Sequence, residues 1–330
     1  MSLDGRLLAR AKLALEAKRR EHEEEYARRI EEVYDRCPQV RELDDELSSL
    51  MAEVIGVALA SGGDPGEAVE EIGERSMRLS AERSLTIARA GFAPGYIDGE
   101  YMCQSCRDTG YAGTEICSCL MELYKAEQKS SLSSLLKLGG ETFDSFDLAL
   151  YSDVPDKNTG ISPRRNMEFV YEACVEYARK FGRRSFNLFL NGAPGLGKTF
   201  LSACIARVVA ELGYSVVYDM ASCIFSKFED DKFSRGEDPA AARRETRRYL
   251  ECDLLIMDDL GTEMTTAFTV SALYEIINTR LITGKKTVIS SNLSLADLRR
   301  RYSPQIMSRL EGEYQVLPFY GDDIRLKNKI

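Results

Sequence analysis

Long apolar runs are missing from this chain of 330 residues. None approaches the ~20 residues that span a bilayer. The opening Met1-Ser-Leu-Asp-Gly-Arg6 lacks the apolar core of a secretory signal, so a cytoplasmic protein with no membrane contact is expected. Histidine is nearly absent. The one present, His22, sits within Lys18-Arg-Arg-Glu-His-Glu-Glu-Glu25, which sets aside Ser-His-Asp catalysis and histidine-built metal centres; it is expected solvated on a first helix. Internal repeats and low-complexity tracts are missing as well. The one weak candidate for disorder is 229–241, rich in Asp, Gly and Pro. Cysteine is present, but in a cytoplasmic chain it argues against a disulfide framework. Cys37, Cys174, Cys204, Cys223 and Cys252 are scattered through mostly apolar surroundings and read as small core residues. Four others are clustered.

Charge is uneven along the chain. Residues 1–150 hold 18 Lys and Arg against 29 Asp and Glu, whereas residues 151–330 hold 26 against 24. The acidic front is ill-suited to phosphates; it fits either protein docking or a merely solvated helical surface, while the second half can meet phosphates locally. Length implies about two domains with room for a buried core. Residues 5–36 read as a long solvated helix without a clean heptad, ended by Pro38. Leu43, Leu47, Leu50, Met51 and Val54 recur at helical spacing. A loop at 61–66 precedes a third helical stretch to about Ala90. Residues 96–120 are short and turn-rich, a helix is expected over 121–137, and Gly139-Gly140 reads as a linker. From Glu141 strand-like runs at 186–190, 215–218, 254–257 and 287–290 alternate with helices, which implies a parallel α/β sheet.

Between the first of these strands and a helix lies Gly192-Ala-Pro-Gly-Leu-Gly-Lys198-Thr199, with Phe200 opening the apolar run of the helix. Strand, glycine-rich turn and helix form a cradle of backbone N–H groups for a phosphate chain, backed by the positive end of the helix. Gly192, Ala193, Pro194, Gly195, Leu196 and Gly197 would wrap the phosphates, Lys198 would reach the β- and γ-phosphates, and Thr199 would hold Mg²⁺. The ligand is therefore a nucleoside triphosphate. Downstream, Asp253-Leu-Leu-Ile-Met-Asp258-Asp259 is a buried strand delivering carboxylates at its C-terminal end. Asp258 would bind Mg²⁺ through its water shell and Asp259 would orient the attacking water; the plainer alternative is a core strand ending in a solvated acidic turn. Lys286-Thr-Val-Ile-Ser-Ser-Asn292 ends in an amide that can meet the water or the γ-phosphate, and equally suits a turn. Ser308-Arg309-Leu310 and Asp322-Asp-Ile-Arg325 follow.

Residues 141–330 resemble the AAA+ ATPases and, within them, the DnaC/DnaI helicase-loader family with its IstB relatives. The resemblance runs from Thr142-Phe-Asp-Ser-Phe146 through the phosphate loop and the acidic strand to Ser-Asn-Leu, Ser-Arg-Leu and Asp-Ile-Arg. It implies ATP as the nucleotide, Asn292 as sensor 1, Arg309 as an arginine finger acting on a neighbouring subunit's ATP, and Arg325 as the sensor 2 arginine. Self-association through the ATP site follows from that. Asp259 is one methylene shorter than the Glu usual in AAA+ proteins, which implies slow, switch-like hydrolysis. With Ile330 five residues beyond Arg325, no C-terminal helical lid is expected.

Cys103-Gln-Ser-Cys106 and Cys117-Ser-Cys119 can close a Cys₄ tetrahedron around a structural Zn²⁺; an iron–sulfur cluster or redox-active thiols are the alternatives. The wording Cys-x-x-Cys-x-Asp-Thr-Gly-Tyr resembles the N-terminal zinc module of DnaI-type loaders, whose N-terminal region docks on the replicative helicase. The expected organisation is a helical docking region at 1–95, a zinc module and linker helix at 96–140, and an AAA+ ATPase at 141–330. Arg243, Arg244, Arg247 and Arg248 form a basic helical stripe, and Arg299-Arg300-Arg301 is a second candidate for phosphate contact. Either can contact single-stranded DNA or lie as a solvated face paired with Glu229, Asp230 and Asp231. The leading reading is a loader that binds a hexameric helicase and assists its placement on single-stranded DNA. The others are an IstB-type transposition helper and a zinc-bearing adaptor for a non-DNA partner.

Overall fold

In a computed structural model that describes residues 3–60, 66–93, 95–99, 101–136, 141–156, 160–233 and 239–329, the charged start of the chain forms α1 (Gly5–Arg36). Pro38 then opens α2 (Pro38–Ala60) at the first helical position, where its missing N–H removes no hydrogen bond. The third helix is α3 (Gly66–Arg89). The chain divides into two units, Lys12–Leu120 and Met121–Ile330 with Met1–Ala11.

The first unit packs Val33, Val40, Ile87, Phe92 and Ile97 together, with the Tyr26 hydroxyl donating to Ile97 O at 3.0 Å. Leu43 and Leu50 are buried and Leu47 half-buried, as helical spacing requires; the side chains of Met51 and Val54 lie outside the described residues. So do 61–65 of the expected loop and the Gly139-Gly140 linker. His22 is not simply solvated. Its Nε2 lies 3.0 Å from Gly99 O, because the chain after α3 returns alongside α1. A two-residue hairpin, β1 (Tyr111–Ala112) with β2 (Glu115–Ile116), is antiparallel.

In the second unit α4 (Ser118–Leu136) and α5 (Pro163–Arg179) lead to the first sheet strand. From there β3 (Asn187–Gly192), α6 (Lys198–Glu211), β4 (Val216–Met220), α7 (Ala221–Phe233), α8 (Pro239–Glu251), β5 (Leu254–Leu260), α9 (Ala267–Ile282), β6 (Lys286–Ser291), α10 (Leu295–Arg301), α11 (Pro304–Glu313) and β7 (Tyr314–Phe319) follow in turn. The sheet order is β4-β5-β6-β3-β7, and every pair is parallel. Both faces are buried. Leu188, Leu190, Ile256 and Val288 meet α5 and α6 on one side; Phe189, Leu255, Met257 and Ile289 meet α7, α9 and α11 on the other. Continuous apolar strands of this kind are what helix-covered parallel sheets require. The α/β class with helix-flanked parallel strands is thus present.

The strand β7 has no counterpart among the four runs picked out from the sequence. Its Pro318 argues against a central strand, yet β7 is the outer strand beside β3, where a missing donor is tolerated. The ends of 229–241 are helical, in α7 and α8, with Pro239 starting α8; 234–238 lie outside the described residues. Of the five scattered cysteines, Cys174, Cys204 and Cys252 are buried, Cys37 is half-buried, and Cys223 is exposed rather than in the core. Among the described residues no helix is long and apolar enough to cross a membrane.

Candidate nucleotide site and candidate metal centre

The loop at 192–199 leaves the C-terminal end of β3 and enters α6 at Lys198. Gly197 caps α6 with φ +88°, and a Cβ there would stand 2.9 Å from the Tyr151 hydroxyl, which itself donates to Leu196 O at 3.0 Å. Gly195 has φ +76°, and a Cβ would collide with the Asp323 carboxylate. Glycine is demanded here by backbone angle and by space. Phe200, on the first turn of α6, packs on Phe146 with ring centroids 5.5 Å apart. Lys198 is 4% exposed, and its ammonium donates to Gly192 O at 2.6 Å and Ala193 O at 2.8 Å. Burial pulls that ammonium down to about 8, against the opposing charges of Asp259 and Asp258.

Asp258 is buried and richly held. Its Oδ2 accepts from Thr199 Oγ1 at 3.0 Å and from the Tyr218 hydroxyl at 2.6 Å, and its Oδ1 accepts from Ser290 Oγ. The Ser290 oxygen in turn accepts the Asp259 amide at 2.9 Å. Pairing of β5 with β6 shifts register between Met257 and Leu260, and Asp259 has φ +55°. The two carboxylates therefore leave a bulge, not a regular strand end. Burial and the Asp258 charge raise the Asp259 carboxyl, while Asn292 and Lys198 oppose the rise.

Because β6 lies between β3 and β5, Asn292 emerges between the loop and the acidic pair. Its Nδ2 donates to Asp259 Oδ1 at 3.0 Å. Asn191, at the end of β3, donates to Leu293 O at 2.6 Å and so fixes that turn. The backbone before Arg325 runs along the loop, with Ile324 N donating to Gly195 O at 3.0 Å. The Arg325 charge acts on both Lys198 and Asp259. Beside Gly192, Ala193 and Asn292 opens a cavity of about 1240 Å³, walled also by Val154, Ile161 and Pro163. Sequence reasoning missed Tyr218, Ser290 and Asn191. Each is a polar residue near the C-terminal end of an otherwise apolar parallel strand, and that was the available signal.

Cys103, Cys106, Cys117 and Cys119 converge, with all four Sγ atoms within 4.8 Å of one another. Cys103 and Cys117 stand 3.7 Å apart, Cys106 and Cys119 3.5 Å. A tetrahedron with ~2.3 Å metal–sulfur bonds has edges of ~3.8 Å, so the four thiols fit one metal ion. The turn is tied by Asp108, whose carboxylate accepts the amides of Met102 at 3.0 Å and Cys103 at 2.8 Å. The Cys119 amide lowers the Cys117 thiol, whereas burial raises that of Cys119.

The family model described as IstB-like ATP binding protein matches residues 175–330, a span that holds the loop, the acidic pair, Asn292, Arg309 and Arg325. This segment is an IstB-like ATP-binding domain. Over 160 residues the chain is 26% identical to the replicative helicase loader DnaC of Buchnera aphidicola, covering 47% of this chain and 63% of the relative. Over 106 residues it is 30% identical to a protein named as ATP-binding in an insertion sequence of Mycobacterium tuberculosis, covering 32% of this chain and 40% of the relative. The chain thus spans less than two thirds of the length of either. A solved structure of DnaI aligns over 60% of this chain and all of that one, at 17% identity and a TM-score of 0.45.

Within the IstB-like domain Arg309 lies on α11, engaged with its own chain. It donates to Asn278 Oδ1 at 2.6 Å and to the Tyr274 hydroxyl at 3.2 Å, and stacks on the Tyr274 ring. The basic stripe of α8 is paired with acids: Arg247 meets Glu251 at 2.6 Å, Arg248 meets Asp4 at 2.8 Å, and Arg243 stands 3.9 Å from Asp231. Arg299 pairs with Glu311 at 2.9 Å, Arg300 with Asp297, and Arg301 with the Glu263 carbonyl.

Proposed function

We propose that this protein is an ATP-dependent loader that binds a hexameric replicative helicase and assists its placement on single-stranded DNA in the cytoplasm. The observation that carries the reading is one chain bearing both a phosphate loop tied to Asp258 through Thr199 and a four-thiol cluster. Residues 1–95 dock on the helicase, 96–140 are the zinc module and linker helix, and 141–330 are the ATPase. Zn²⁺ held by the four cysteines is structural, since closed coordination leaves no open position for catalysis.

ATP lies along 192–200 with Lys198 on its β- and γ-phosphates. Thr199 and Asp258 would hold Mg²⁺, which would neutralise developing phosphate charge. Asp259 orients the attacking water, and Asn292 steadies it. Its short side chain fits slow, switch-like turnover. Arg325 reaches the γ-phosphate side. Arg309 completes the site of a neighbouring copy, leaving Asn278 and Tyr274 to do so, and this makes self-association depend on ATP. DNA contact by either arginine stripe exchanges carboxylate partners for phosphates, so it weakens as salt rises.

A second reading, an IstB-type transposition helper acting with a transposase on DNA, is favoured by the description of the matching family and by the insertion-sequence relative. Co-purification with the host's replicative helicase, with and without ATP, separates the two. A stable ATP-sensitive complex supports the loader. Absence of any complex in both conditions, with capture by a transposase instead, overturns it.

A further inference from the structure

We propose that Tyr218 is a positioning residue of the nucleotide site: its phenol fixes the Asp258 carboxylate in the orientation that Mg²⁺ and the triphosphate require. The inference rests on the reading of 192–199 and Asp258 as ATP and Mg²⁺ ligands, and adds a residue outside both motifs.

Tyr218 stands on β4, opposite Ile256 of β5. Its side chain is 5% exposed, and its hydroxyl lies 2.6 Å from Asp258 Oδ2. A phenol is a donor at neutral pH and a carboxylate only accepts, so the direction of this bond is settled. The proton on Ser290 is settled too. Its oxygen accepts the Asp259 amide and its hydrogen goes to Asp258 Oδ1.

Asp258 thus has three hydroxyl partners of two kinds. Thr199 belongs to the phosphate loop and would have a second task, since its oxygen would hold the cation. Tyr218 and Ser290 belong to the sheet and have no such task. The sheet therefore orients both carboxylate oxygens, and the loop only joins them. Removing the phenol leaves Oδ2 with Thr199 as its one hydroxyl partner among the described residues, and the carboxylate is free to turn with the loop.

The test is Tyr218→Phe, which deletes one oxygen, with Tyr177→Phe as control. Among the described residues the buried Tyr177 hydroxyl has no hydrogen-bond partner, so its loss reports the general effect of emptying a buried phenol position. Binding of a fluorescent ATP analogue is followed by anisotropy in EDTA and across a Mg²⁺ titration, with melting curves on each variant. In Tyr218→Phe the Mg²⁺ concentration giving half of the Mg²⁺-dependent tightening should rise roughly tenfold, the equivalent of one charge-assisted hydrogen bond. Affinity in EDTA should match the parent, and Tyr177→Phe should titrate like the parent. An unchanged Mg²⁺ midpoint overturns the proposal, as does an equal loss of affinity with and without Mg²⁺. Should Tyr218→Phe not fold, Ser290→Ala decides by the same titration: a raised midpoint supports sheet-based orientation and an unchanged one overturns it. A parent that binds no ATP analogue at all refutes the reading of the loop itself, and is seen before any variant is made.

Discussion

Around Lys198 and Asp258 the chain sets a few polar groups on the rim of a sheet buried on both faces, whereas around Cys103 and Cys117 there is hardly a core to set anything on. Strand order places Asn292 beside Asp259 and Tyr218 against Asp258, and the apolar packing beneath holds them there. Among residues 101–120 the buried positions are Cys106, Asp108, Gly110, Cys117 and Leu120. Four converging thiols offer one metal ion a closed site there, and a structural Zn²⁺ would bring about 10–16 kcal/mol of binding energy to the module. The candidate nucleotide site is held by packed strands whether or not its ligand is bound, whereas the cysteine module would owe much of its order to a metal.

The largest expected effect attacks the second half of that contrast. Cys103→Ser, or a strong chelator on the parent, should release the metal and open 96–120 to protease, removing the ~10–16 kcal/mol of binding energy, while ATP still binds. A full metal content after the substitution would sink the Cys₄ assignment, and loss of ATP binding on chelation would break the contrast. Next comes Arg309→Ala, which should preserve ATP binding and lower turnover by about 10³-fold or more if the residue acts on a neighbour's ATP. Turnover equal to the parent at every protein concentration refutes the trans role. The smallest is Lys198→Ala, which should weaken ATP by about a hundredfold or more, the usual loss for truncating one partner of a buried charge contact. Its metal content should equal the parent's; normal ATP affinity would contradict the phosphate-loop assignment.

Local features were legible in the sequence because they depend on neighbours in the chain. The glycine spacing around Lys198, the apolar run before Asp258 and the two cysteine pairs are all of this kind. Features that depend on strand order were not. Nothing in Val216-Val-Tyr-Asp219 states that Tyr218 will lie beside a carboxylate 40 residues later. The placement of β5 next to β4 decides it. The edge position of β7 is likewise a property of the assembled sheet, and it made Pro318 acceptable. The arginine stripes carried a further ambiguity. Charge spacing marks a helical face but cannot name its partners, and Asp4 reaches Arg248 from the far end of the chain.

The bulge at the end of β5 also narrows which residues this position can host. With φ +55°, Asp259 occupies a backbone region that Asp and Asn enter several-fold more readily than most side chains and that β-branched residues avoid. Its short carboxylate is then the acid this backbone accommodates most readily. An exchange to Asn retains the local shape while removing the negative charge; an exchange to Val or Ile disrupts the turn before chemistry is tested. Lengthening the acid to Glu would add the cost of about 1–2 kcal/mol of holding an ordinary side chain in the left-handed region.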